Sequence, residues 1–154
     1  TPGNDVLLDL AVHDLDILRS LLGPLSVVAS VTHNTVRPDV CDTAEILLRA
    51  NCGASATVSV NWTSPCKIRR MHITGTGGAC FVDLIGQTVE VVVGEERTFL
   101  AVPKAEPLAL ELDAFADLVE GRDSAPLCTG ADAAAAVHLA STALTVASTP
   151  ARAA

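Results

Sequence analysis

The chain has 154 residues, 49% of them hydrophobic and 18% charged, so it is long enough to bury a core and too apolar to be disordered. Its net charge of −8 and pI near 4.7 argue against nucleic acid, which needs clustered Lys and Arg, and against docking on an anionic membrane. No apolar run approaches the roughly 18 residues of a bilayer span, and the N-terminus lacks the basic region of a secretory signal, so a cytoplasmic location is expected.

Aromatic residues make up 3% of the chain, with no tyrosine and one tryptophan, so the core must be aliphatic. The five cysteines are odd in number and scattered, without a C-x-x-C pair. They read as buried or idle thiols in a reducing compartment, and no metal site is expected.

Residues 6–22, VLLDLAVHDLDILRSLL, read as a helix that Asn4 or Asp5 caps and Gly23-Pro24 stops. From 25 to 102 the texture changes to short β-rich runs: LSVVASVTHNTV, TAEILLRA, ASATVSVNWTS, KIRRMHITGT, ACFVDLIG, TVEVVVG and RTFLAV. Turn material such as Asn51-Cys52-Gly53, Gly77-Gly78 and Gly94-Glu95 separates them, and connections this short favour antiparallel neighbours. Pro107 then opens a helix with Leu108, Leu112, Phe115, Leu118 and Val119 at helical spacing, closed by Gly121. Thr129 and Asp132 form a capping box for a final alanine-rich helix that stops before Pro150, and the last residues are expected to fray. The order predicts one α+β domain: an open, largely antiparallel (mixed) sheet of about six strands with helices on one face.

The first helix carries an unusual load. At about 100° per residue from Leu8, Asp16, Asp9, Ser20 and His13 project near 80°, 100°, 120° and 140°, a single polar stripe. Ala11, Val12, Leu15, Leu18 and Leu22 lie opposite, and Asp14 falls among Leu7, Leu10 and Leu21, where it reads as a buried acceptor. Asp9 and His13 are four residues apart, within hydrogen-bonding reach. A solvated face is usually built from Lys, Glu and Arg, which are better helix formers than Asp and His. An Asp beside a His also orients and tunes an imidazole for proton transfer, so the stripe is a candidate site as well as a candidate solvated face.

The stretch GNDVLLDLAVHDLDILRSLLG resembles the signature that opens the catalytic helix of the glucose–fructose oxidoreductase / inositol dehydrogenase (Gfo/Idh/MocA) family. The match runs from Val6 to Gly23, with Asn4 and Asp5 where the family often has further glycines. AEILLRANCGASATVSVNW looks like the family's paired strands, RRMHITGTGGACFVDL like its I-x-G-T-x-G hairpin, and PLALELDAFADLVEG with TGADAAAAVHLASTAL like its closing helices. The resemblance implies a dihydrodipicolinate-reductase-like C-terminal domain that supplies a substrate pocket and an oligomer interface. It further implies His13 as the acid/base that moves the proton of a substrate hydroxyl while hydride leaves for a nicotinamide. Asp9 is then the carboxylate that orients that histidine or the substrate. Asp16, which shares their projected face, is a candidate substrate contact. NAD or NADP is implied for the full-length enzyme and none for this chain alone.

The departures are equally specific. No strand leads into G-x-G-x-x-G, so the Rossmann domain of the family is missing from these residues. The family's Glu-Lys-Pro lysine has no counterpart, because Lys104-Ala105-Glu106-Pro107 has another order and precedes a late helix. The glycines Gly75 to Gly78 lie between strands and read as a tight hairpin instead of a phosphate loop.

Trp62, Lys67 and Arg69 gather near one turn and are candidate contacts for a sugar-like or anionic substrate. Strand alternation would put Lys67 and Arg69 on one face and Arg70 and His72 on the other, so one pair at most faces a pocket. His33, His72 and His138 have no ligand spacing and read as core or surface residues, His138 packing beside Leu139 and Leu144. VEVVVG, FVDLIG and TVSVNW turn enough Val, Ile and Phe outward that the uncovered sheet face predicts a homodimer or higher oligomer. Two readings follow: the substrate-binding, catalytic-half and oligomerisation domain of an NAD(P)-dependent dehydrogenase, or an orphan dimerisation or sugar-binding module reusing the fold.

Overall fold

The computed structural model describes residues 5–148, in which the chain forms two compact units, one of residues up to 64 together with 128 onward, the other Pro65–Leu127. Asn4, Pro150 and the residues after it, read above as cap, stop and frayed tail, lie outside the described residues.

In the first unit a π-helical turn, Leu7–Ala11, runs into helix α1, Val12–Leu22. Asp5 caps the start, its Oδ1 accepting the Leu8 N–H at 2.9 Å. Gly23, at φ +76° and ψ −155°, takes a backbone conformation open chiefly to glycine and ends the helix. Three antiparallel strands follow, β1 (Leu25–His33), β2 (Thr43–Ala50) and β3 (Ser55–Asn61), in the order β1-β2-β3. Strict alternation in TAEILLRA buries Ala44, Ile46, Leu48 and Ala50 and leaves Glu45, Leu47 and Arg49 outside. The last helix of the chain, Gly130–Ala147, is held by the predicted Thr129–Asp132 capping box and packs on α1 and β1. Its alanines let the backbones approach closely: Ala136, Ala140 and Ala143 sit in the core with Val6, Leu7, Ala11 and Leu15.

The π turn modifies the expected helical projection. The Val12 N–H reaches back five residues to the Leu7 carbonyl, so one extra residue enters the turn. Everything N-terminal to it is rotated by roughly one residue's angle, about 100°. Leu7, projected beside Asp14, is therefore fully buried, whereas Asp14 is only half-buried.

The second unit is a four-stranded antiparallel meander, β4 (Arg70–Gly75), β5 (Gly78–Asp83), β6 (Thr88–Val93) and β7 (Glu96–Leu100), followed by α2, Pro107–Val119. As expected, Gly75–Gly78 is a two-residue hairpin between β4 and β5. The Asp83 Oδ1 accepts the Ile85 and Gly86 N–H groups at 3.0 and 2.8 Å and closes the turn into β6. The Gln87 amide pairs both ways with the backbone of Ala105, at 2.7 and 3.0 Å, and ties the lead into α2 to the sheet.

The α+β class, the chain order and the antiparallel pairing hold, but seven strands form two sheets where one of about six was expected. The reason lies at Asn61–Arg69. Asn61 Oδ1 takes the Ser64 N–H at 2.7 Å in an Asx turn, and Pro65 has no N–H to donate to a ladder. The apolar stripe of α2 is not buried either: Leu108, Leu112, Phe115, Leu118 and Val119 are all more than half exposed, and Ala114 is the residue that is covered. In TVSVNW the valines face the core and Thr57 and Ser59 face out, opposite to the expectation.

Candidate active site

Two successive carbonyls build the site in the first unit. Cys41 O accepts the Val6 N–H at 3.0 Å and fixes the start of the helix, while Asp42 O accepts the Trp62 N–H at 2.9 Å and fixes the end of β3. Asp42 is itself buried, 3% exposed, and its carboxylate takes the Val36 N–H at 2.6 Å and the Thr43 hydroxyl at 3.1 Å. The Val36 amide above all holds its carboxyl below the usual carboxylate range.

On this frame Asp9 and Trp62 meet, the indole N–H donating to Asp9 Oδ2 at 2.8 Å. Asp9 and His13 are both exposed on the helix whose Leu7, Ala11 and Leu15 are sealed. The hydrogen bond expected between Asp9 and His13 is not formed: the Asp9 carboxylate is turned to Trp62, leaving the imidazole open to solvent. The arrangement offers an exposed imidazole one helical turn from a carboxylate whose orientation is fixed.

Asp16 is half-buried farther along α1. The Asp16 charge lies near the Cys128 thiol, whose Sγ donates to Thr129 O at 3.6 Å next to the capping box, and Arg19 lies 3.9 Å from Asp132. Cys128 is exposed as a residue, and desolvation first and the Asp16 charge second push its thiol above the usual thiol range.

Lys67 and Arg69 belong to the second unit, where they precede β4 instead of lying in it, so the alternation expected for them does not apply. With Ile68, Arg70, Asp83 and Ile85 they line a recess of about 250 Å³, and Arg70 pairs with Asp83 at 3.3 Å. Sequence reasoning missed Cys41 and Asp42; the usable signal was an Asp immediately before Thr and a strand, which marks a local side-chain turn.

The remaining histidines behave as read: His72 stacks on Phe81 with centroids 4.3 Å apart, and His33 ends β1. His138, however, is exposed while Leu139 is buried. Of the cysteines, Cys41 is buried and Cys80 half-buried, whereas Cys52, Cys66 and Cys128 are exposed. Among the described residues no group of His, Cys, Asp and Glu could hold a metal, and no helix is long and apolar enough to cross a membrane.

Neither of the two dinucleotide-like motifs in the described residues has the structure such a site needs. The glycine-rich turn is a hairpin leading into a strand, and a Cβ on Gly78 would meet Val92 O, so glycine there serves sheet packing and not a pyrophosphate. Glu106 caps α2, its side chain accepting the Ala109 N–H at 2.9 Å, and Pro107 is the first helical residue, so Lys104–Pro107 is a helix start.

Comparison with known proteins gives a consistent picture. The GFO/IDH/MocA C-terminal domain family matches residues 1–81. No curated protein matches the chain. The fold is similar to that of UDP-N-acetylglucosamine 3-dehydrogenase GnnA from Acidithiobacillus ferrooxidans, with TM-score 0.82, 24% identity, and 92% of this chain and 47% of that one covered. It is similar to an oxidoreductase from Agrobacterium radiobacter in complex with NAD+, L-tartaric acid and magnesium, with TM-score 0.68, 26% identity and 90% and 46% coverage. A mutant of KijD10, a 3-ketoreductase from Actinomadura kijaniata in complex with TDP-benzene and NADP, gives TM-score 0.79, 19% identity and 94% and 48% coverage. The chain thus spans about half the length of these solved proteins.

Proposed function

Because the chain belongs to the GFO/IDH/MocA family through its C-terminal domain, we propose that it is the substrate-side half of an NAD(P)-dependent dehydrogenase acting on a sugar, cyclitol or nucleotide-sugar hydroxyl. His13 takes the proton of that hydroxyl, or returns it in the reverse direction, and Asp9 orients the imidazole or the substrate. The observation that carries this reading is the placement of both side chains on the exposed side of one helix whose other side is locked in the core. A rigid element of this kind holds reacting groups in place better than a loop. Trp62, Asp16, Lys67 and Arg69 are the proposed substrate contacts. Of these, Trp62 shares the Asp9 site, Asp16 is half-buried on the same helix as His13, and Lys67 and Arg69 line the recess of the second unit.

No G-x-G-x-x-G loop leads into a helix among the described residues, so this reading requires a nucleotide-binding domain elsewhere in the enzyme, and the chain alone is expected not to turn over. Reading the gene upstream of Thr1 tests it first, the expected result being an in-frame nucleotide-binding domain. The encoded enzyme is then assayed with UDP- and TDP-sugars and either cofactor, the ligands of GnnA and KijD10 suggesting where to begin. An upstream sequence without such a domain and a silent assay would leave the non-catalytic module as the better reading.

A second copy of the chain is the proposed cover for the second sheet. Its register puts Ile73, Cys80, Val82, Val89, Val91 and Leu100 on one face, whereas the ion pairs Arg70–Asp83 and Arg97–Glu90 lie on the other. Sedimentation of the chain should give a dimer or larger, and a strict monomer would overturn this assignment.

A further inference from the structure

We propose that Trp62 is a positioning residue for Asp9. This rests on the reading of Asp9 and His13 as the reacting pair. It departs from a simple substrate-contact role for Trp62, because the indole N–H is already engaged, at 2.8 Å from Asp9 Oδ2. A hydrogen bond to an ionised carboxylate is among the stronger and more directional ones.

Both ends of the pair are independently fixed. Asp9 sits in the π turn, its own N–H bonded to Asp5 O at 3.0 Å, and the start of that helix is tied to Cys41 O. The Trp62 backbone is tied to the very next carbonyl, that of Asp42, whose buried side chain organises the loop before β2. One dipeptide therefore sets the distance between the helix and the end of β3. The indole occupies one carboxylate oxygen and leaves Oδ1 for the substrate or for His13 to approach. The ring itself, 40% exposed, keeps part of its surface free.

The chain has one tryptophan, so the indole N–H gives a single resonance that reports on this contact alone. Asp9→Ala should move that resonance upfield in the full chain, with Asp9→Asn falling between it and the wild type. An indole resonance indifferent to both substitutions would overturn the assignment. In the intact enzyme, Trp62→Phe keeps a ring and loses the donor, so kcat should fall about tenfold to a hundredfold with KM changed far less. In an Asp9→Asn background the same substitution should cost less than about twofold. An equal cost in both backgrounds would mean that Trp62 acts independently of Asp9. Failure of the functional reading is distinguishable: it would appear as full turnover by a His13 variant, while the indole resonance still responded to Asp9.

Discussion

The two units of this chain solve folding in opposite ways. The first unit owns the buried core, with Val6, Leu7, Leu15, Ile46 and Leu48 essentially inaccessible. The second contributes Ala114 to the buried set and holds most of the exposed large apolar side chains, from Ile68 to Val119. Its order comes from a continuous ladder, two-residue hairpins and side-chain ties such as Gln87–Ala105. The candidate chemistry lies on the unit with the core, where a helix can be held rigid. The unit without one presents apolar surface, which is what an assembling element needs.

The contrast can be broken most strongly through the cores. Leu15→Ala should cost about 2–5 kcal/mol in urea unfolding, since a fully buried leucine leaves a cavity in the core cluster it shares with Ala136 and Ala140. Phe115→Ala, a larger truncation at a residue 57% exposed, should cost less than about 1 kcal/mol in a dilute, unassembled chain. Equal losses would mean that α2 is packed as well as α1. Next in size is Gly78→Ala. Its Cβ would meet Val92 O, at a φ of +140° that side chains rarely adopt. More than about 1 kcal/mol should be lost, and amide exchange should quicken in β5 and β6 before it does in β1–β3.

A smaller, sharper comparison uses two carboxylates. Asp42 is held low chiefly by the Val36 N–H, and Asp83 chiefly by the Gly86 N–H with help from Arg70. Each folded pKa lies below the unfolded value of about 3.9, so each contributes stability that is present above that value and lost as the pH falls through the lowered one. Asp42→Asn should flatten the acid dependence of melting of the first unit, and Asp83→Asn that of the second. A variant that flattened the other unit's transition would show that the two do not titrate separately.

Much of this was legible in the sequence, for physical reasons that differ by element. Alternation in TAEILLRA and the helical spacing of Ala11, Leu15 and Leu18 report burial directly, because side-chain direction follows backbone period. Caps at Asp5 and Thr129 are local, and so was the hairpin at Gly75–Gly78. The π turn was not legible, since it is a backbone hydrogen-bond shift with no residue signature. It moved Leu7 into the core and turned Asp9 toward Trp62. The division into two sheets was hidden because an Asx turn and a single proline look like any other strand connection. The α2 stripe misled for another reason: helical periodicity says which residues share a face, not what covers that face.

The role of His13 is tested most directly by the turnover of the intact enzyme with His13→Ala. A general acid/base at this position predicts a loss in kcat of about 10²–10⁴-fold with circular dichroism and melting temperature preserved, as its exposed site requires. Activity within about twofold of wild type would contradict it.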